Sequence, residues 1–281
     1  IYVEAFSEED ATEPTTRTTT NGNSVTWVTG DEIALFETTG KRVYKRFRLV
    51  SEPGTKSGYF EGVGTDDYLT PGTSYRVVYP YSAAQYTGSN ARYRKDIQAF
   101  LQTDNSNSNL MNDDWLISEI RTVTDGTMPG FRLNHCFALL QVSMQVEGIE
   151  KNDDYEMYFS NFTIETSGNE LAFASKVYIT DDGNLGVSSY QNSIVASRID
   201  KPWFENGTYQ FWYVVKPNPS SGVVPLMLHP YFTQGSSVLW SIQTRFTPTS
   251  VLQSGKYYHL NLKMTYNNVS HSASTLEVVG R

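Results

Sequence analysis

Residues 131–146 read FRLNHCFALLQVSMQV, the longest strongly apolar run in the chain, and the fold turns on how this run is read. In an extended chain Phe131, Leu133, His135, Phe137 and Leu139 share one face, while Arg132 and Asn134 take the other. This is the period of a strand rather than a helix. Past Leu139 the apolar set changes parity to Leu140, Val142, Met144 and Val146. A period of two broken by a one-residue shift marks a β-bulge, or a strand that leaves one sheet and enters another. The cluster Asp125-Gly126-Thr127-Met128-Pro129-Gly130 just before it interrupts regular structure. The run is therefore expected to be the first strand of a second domain, dividing the chain into units of residues 1–127 and 128–281.

Working outward, short strands punctuated by turn signals recur on both sides. Toward the N-terminus these are residues 25–28 and 33–36 around Gly30-Asp31, then 41–50, 58–62 and 74–79, the last closed by Pro80, which has no N–H to donate. Residues 102–114 are polar and Asn-rich, the composition of a long surface loop, and 109–120 is the best stretch for a short helix. Toward the C-terminus, residues 155–164, 171–179, 208–215, 226–232, 238–242, 257–264 and 274–279 read as strands. Many short strands at such spacing predict an all-β chain of two tandem β-sandwich domains with Greek-key connections.

The first residues carry a pattern of their own. Ile1, Val3 and Ala5 alternate with Tyr2 and Glu4, and the acidic, threonine-rich tract SEEDATEPTTRTTTNGN follows. That tract has too little apolar content to pack and reads as an exposed loop with one arginine, Arg17, in its middle. An opening on Ile1 without methionine is what a processed secreted chain shows.

Composition narrows the function classes. A chain of 281 residues buries enough surface to hold a core without covalent staples, and its one cysteine, Cys136, allows no intrachain disulfide. No residue pattern activates that thiol, so it reads as a small apolar residue. The net charge of −8, with basic residues scattered, excludes a nucleic-acid-binding face. No run approaches the ~18 apolar residues of a membrane span. Aromatics at 14%, with 19 tyrosines, favour strands and an extracytoplasmic surface.

Chemistry-bearing residues are sparse. His135 lies on an apolar face, where a histidine serves packing more often than catalysis. His229, His259 and His271 have no companion at metal-ligand spacing. Asp181-Asp182-Gly183-Asn184 and Lys151-Asn152-Asp153-Asp154 lack the pattern of a calcium loop and read as turns. With no nucleophile or phosphate-loop motif either, we expect no catalytic, cofactor-binding or metal-binding residues and no enzyme.

Several landmarks together resemble the fimbrillins of Bacteroidetes, pilin subunits and pilus-like surface lipoproteins with two tandem, transthyretin-like β-sandwich domains. They are Thr16-Arg17-Thr18 ahead of Trp27-Val28-Thr29-Gly30-Asp31-Glu32-Ile33; Tyr75-Arg76-Val77-Val78-Tyr79-Pro80-Tyr81; Phe131-Arg132-Leu133-Asn134-His135; and Gly255-Lys256-Tyr257-Tyr258-His259-Leu260-Asn261-Leu262. Each alone is only strand and turn chemistry, but their order covers nearly the whole chain. The resemblance implies a cell-adhesion protein of the fimbria (pilus) at the outer membrane, secreted as a lipoprotein whose acylated cysteine lies upstream of Ile1. It implies maturation at Arg17 by an arginine-directed protease. It further implies polymerisation with other pilin subunits by donor-strand exchange, in which Ile1, Val3 and Ala5 vacate a groove and a C-terminal strand carrying Leu276 and Val278 fills one. Host or bacterial surface ligands would be further partners.

A different class of function is also open. Aromatic clusters such as Tyr209-Gln210-Phe211-Trp212-Tyr213 and Pro202-Trp203-Phe204 could stack on sugars, making a carbohydrate-binding surface lipoprotein or adhesive tip subunit that does not polymerise. Burial of those rings in a core would remove that possibility for them.

Overall fold

The structure, a computed structural model, describes residues 1–5, 26–39, 43–88, 90–107, 110, 113–125, 130–148, 157–234, 237–241, 243–265, 268–271 and 277–279. It is nearly all β. The first half of the chain contributes β1 (Tyr2–Ala5), β2 (Glu32–Glu37), β3 (Tyr44–Leu49), β4 (Ser57–Gly62), β5 (Ser74–Tyr79), β6 (Lys95–Asp96), β7 (Ala99–Gln102), β8 (Leu116–Ser118), β9 (Arg121–Thr122) and β10 (Gly130–His135). Next come β11 (Ala138–Val146), β12 (Tyr158–Thr166), β13 (Phe173–Ile179), β14 (Leu185–Gln191), β15 (Ser193–Arg198) and β16 (Gly207–Val215). The last are β17 (Leu226–Gln234), β18 (Ser237–Ser241), β19 (Thr244–Phe246), β20 (Tyr257–Thr265), β21 (Asn268–His271) and β22 (Glu277–Val279). Helix among the described residues includes the 3₁₀ turns Tyr81–Tyr86 and Ala91–Tyr93.

One sheet runs β2-β3-β4-β1-β10-β8-β5 and closes through a β2–β5 pairing, with β9 attached to β5. It encloses a core of its own that includes Val3, Trp27, Ile33, Leu35, Phe60, Tyr75, Val77, Phe131 and Leu133. The rest of the chain forms three sheets, β16-β11-β20-β21 with β22 on β20, β18-β17-β12-β15-β7 with β19 on β17, and β14-β13-β6. These bury a second core. The two cores share a wall. Along β2, Ile33 and Leu35 enter the first core while Ala34 and Phe36 enter the second, so both faces of the strand are buried. The β13–β14 turn meets that wall: Gly183, at φ +78°, lies so close to Phe36 that a Cβ there would come within 2.7 Å of the Phe36 Cβ.

The run 131–146 is split between these sheets. Its first part, β10, pairs with β1 and β8 in the closed sheet, and its second, β11, pairs with β16 and β20. The break in period is thus a strand passing from one sheet to another. The crossing falls at Cys136–Phe137, past the expected boundary at 127–128, and Phe131 does not open a new sheet. Neither do the two halves stay apart, because β6 pairs with β13 and β7 with β15.

Other expectations need correcting. Residues 26–28 are not a strand: Asp31 accepts from the Val28 N–H at 2.8 Å and from the Tyr79 hydroxyl at 2.7 Å, tying down a turn that buries Trp27 fully. Leu116–Ser118, inside the stretch read as a helix, is β8. Residues 102–114 are not merely surface, since Gln102, Leu110 and Asp114 are buried. In β12 a register shift between Phe159 and Asn161 puts both Phe159 and Phe162 in the core, which strict alternation forbids. β14 and β15 carry too little apolar contrast to have been foreseen.

Candidate functional site

β1 fills the space between β4 and β10. It runs antiparallel to β4, with Tyr2 opposite Tyr59 and Val3 opposite Gly58, and parallel to β10, with Val3 opposite Phe131 and Ala5 opposite Leu133. Ile1 exchanges two backbone hydrogen bonds with Phe60, at 2.7 and 2.8 Å. The far edges of β4 and β10 are taken by β3 and β8, so β1 alone joins these two walls. Neighbouring strands lie ~4.8 Å apart, and removing β1 would open a slot ~10 Å across, one strand wide, lined by unpaired backbone groups.

The alternation seen in the sequence explains how β1 is held. Ile1 and Val3 point into the closed sheet, where Val3 is wholly buried. Opposite Val3, Gly58 has no room for a side chain: a Cβ there would lie 2.5 Å from Leu49 Cδ1 and 3.0 Å from Trp27 Cδ1. Trp27 meets Phe60 and Tyr79 edge-on, at centroid distances of 4.9 and 5.2 Å, which fixes the floor under β1. On the outer face Tyr2 packs against Tyr59, itself half exposed, at 5.4 Å. Phe60, Phe131 and Leu133 complete the apolar lining, and their alternation was the signal that could have identified them.

Val3 and Ala5 fall on β1, and Ile1 just before it continues the pairing through its two hydrogen bonds to Phe60. Arg17 and Leu276 lie outside the described residues. Val278 belongs to β22, opposite Tyr258 of β20, in a different sheet from β1. The histidines have structural surroundings. His135 Nδ1 is 2.8 Å from Asp114 Oδ2, both side chains largely buried, and His259 Nε2 lies 2.9 Å from Ser143 Oγ. Asp182, in the β13–β14 turn, is held below the ordinary carboxylate range by the Thr180 hydroxyl, helped by Arg76. Among the described residues no group of three His, Cys, Asp or Glu is placed to hold a metal ion. No helix among them is long and apolar enough to cross a membrane. Tyr209, Phe211, Trp212, Tyr213 and Phe204 are buried, leaving Trp203, at 36% exposure, as the partly open ring of the two aromatic clusters.

No family model and no curated protein matches the chain. Among solved structures it is similar to a candidate cell adhesion protein from Bacteroides uniformis, with a TM-score of 0.56 at 12% identity, over 90% of this chain and 93% of that one. A candidate cell adhesion protein from Bacteroides ovatus matches with a TM-score of 0.52 at 14% identity, over 90% of this chain and 88% of that one. At these identities the likeness is one of fold alone.

Proposed function

We propose that this chain is a structural or adhesive subunit of a cell-surface fimbria, and not an enzyme, and that it assembles by protease-triggered strand exchange. The observation that carries the reading is β1. Four residues long, it joins β4 to β10 through main-chain hydrogen bonds and two apolar anchors, and residues 6–25 lie between it and Thr26. Cleavage after Arg17 would leave β1 held without a covalent tie. A strand from another subunit could then enter the slot, gaining the same ladder of hydrogen bonds while its alternate side chains refill the apolar sites. The segment carrying Leu276 and Val278 is the donor in this scheme. Only three residues of β22 pair with β20, so releasing it breaks a short ladder.

The proposal includes export as a lipoprotein anchored upstream of Ile1 in the outer membrane. It includes an organisation in which the closed sheet holds the slot and the sheet of β20 and β22 holds the donor arm. The experiment treats wild type and Arg17→Ala with an arginine-specific protease and follows oligomers under mild denaturant. Wild type should be cut at Arg17 and give a ladder of resistant oligomers, while Arg17→Ala stays monomeric. Cut wild type that remains monomeric, or Arg17→Ala that polymerises equally, would refute the mechanism.

A further inference from the structure

The segment most able to pair with foreign strands is not β1 but β16. Residues 208–215, TYQFWYVV, are eight consecutive positions of aromatic, β-branched and amide residues with no charge, proline or glycine. That composition marks a strand that self-associates when its backbone is open. The fold places it at a sheet edge. In the order β16-β11-β20-β21 it stands at the end, with β11 on one side and, among the described residues, no strand on the other.

Three backbone groups on the open side are nevertheless bound, and by side chains. The even-numbered residues of β16 turn their N–H and C=O groups away from β11. There the Gln210 N–H donates to Asn105 Oδ1 at 3.0 Å, and the Thr208 C=O accepts from Asn105 Nδ2 at 3.0 Å. The Trp212 N–H donates to Gln102 Oε1 at 3.0 Å, while the Trp212 indole N–H donates to the Asn105 carbonyl at 2.9 Å. Two primary amides thus occupy three of the donor and acceptor positions that a neighbouring strand would fill. Just beyond the strand, the Lys216 carbonyl accepts from the Ala174 N–H at 2.8 Å.

The amides are themselves fixed in place. Gln102 is almost completely buried and donates to the Ser106 carbonyl at 3.3 Å. Asn105 Oδ1 also accepts from Arg198 Nη1 at 2.7 Å. Arg198, buried, is held in turn by two hydrogen bonds to Asp200, at 2.8 and 2.6 Å. A charge aimed inward beside an edge strand is one of the ways proteins keep sheet edges from pairing. We infer that Gln102 and Asn105, positioned by Arg198, are an edge guard that denies the β16 ladder to a second copy of this chain. The guard is independent of strand exchange at β1 and would operate whether or not Arg17 is cleaved.

The test uses the full chain with Gln102→Ala and Asn105→Ala combined, and a labelled peptide of residues 207–215 as the incoming strand. Wild type should stay monomeric and ignore the peptide. The double variant should exchange the amides of 207–215 about fivefold to tenfold faster, the factor expected for lost hydrogen bonds. It should also capture the peptide and self-associate. Adding Gln210→Lys, a charge on the edge strand, should abolish both without restoring the bonds. Leu228→Ala, destabilised in the core instead, should neither capture nor associate. If the double variant folds poorly, the near-isosteric Gln102→Met should show the same changes at smaller amplitude. Unchanged exchange in 207–215, faster exchange without capture, or equal capture by Leu228→Ala would each overturn the inference.

Discussion

Val3→Ala tests the packing that gives β1 its hold. Val3 is completely buried, between Gly58 on one neighbouring strand and Phe131 on the other. The substitution removes two methyl groups. At about 0.8 kcal/mol for each buried CH₂ equivalent, with a further contribution from the cavity left behind, the expected loss is about 2–3 kcal/mol. The cavity has little means of collapsing. Gly58 offers no side chain to move in, and Trp27 is locked edge-on between Phe60 and Tyr79. For a chain of this size that loss lowers Tm by about 4–12 °C, read in a thermal scan of tryptophan fluorescence. The same free energy predicts a second result. In protein cleaved after β1, the free plug segment should bind its slot about 30- to 150-fold more weakly when it carries Ala at position 3. A Tm within a degree or so of wild type, with unchanged plug affinity, would show that β1 is not anchored through Val3, and the slot argument would lose its energetic basis.

Leu260→Ala, which empties a buried site on β20, should cost about 2–5 kcal/mol, while Asn261→Ala on the other face should leave Tm nearly unchanged; paired melts decide it. Burial pushes the Glu32 carboxyl up, but hydrogen bonds from Arg46 and Arg48 outweigh it and hold the group below its ordinary value of 4.5. Its folded pKa being depressed, the stability it contributes is present above pH 4.5 and lost as pH falls through the lower folded value, so Glu32→Gln should flatten the acid limb of a stability–pH curve. Burial likewise holds His229 below 6.5, with Glu165, 3.8 Å away, offsetting part of the shift. The unfolded chain takes up that proton more readily, so stability is full above pH 6.5 and falls below it, and His229→Leu should remove that part of the decline in urea titrations at pH 5 and pH 7.5.

What the sequence revealed and what it hid have physical causes. β20 was legible because Tyr258, Leu260, Leu262 and Met264 alternate with Asn261 and Lys263 across a half-buried sheet. The two parts of 131–146 could be recognised as strands, but period-2 patterning does not say which sheet a strand joins. That choice rests on partners as distant as Val3 and Tyr258. Phe159 and Phe162 share the core because a register shift breaks the alternation, and such a shift leaves no mark in the apolar pattern. The alternation of Ile1, Val3 and Ala5 was readable locally. Gln102 and Asn105 were not, because an amide in a polar stretch looks solvated until its partners, more than a hundred residues away, are brought beside it.

The two edges also bear on the direction of assembly. A subunit that polymerises by strand exchange must expose an acceptor ladder without letting every other ladder compete for the incoming strand. β1 is four residues long, and the buried side chains of Val3 and of Ile1 just before it supply about 3–6 kcal/mol, a hold that another strand of similar pattern can match. β16 pairs with β11 over nine residues and carries the more adhesive sequence, so an unguarded β16 edge would compete with the β1 slot for any free strand. Closing it with side-chain amides rather than a further strand keeps the edge short of backbone partners without creating another edge beyond it. On this reading specificity comes as much from the ladder that is kept shut as from the one that opens, and loss of Asn105 should divert strands from ordered assembly into lateral association.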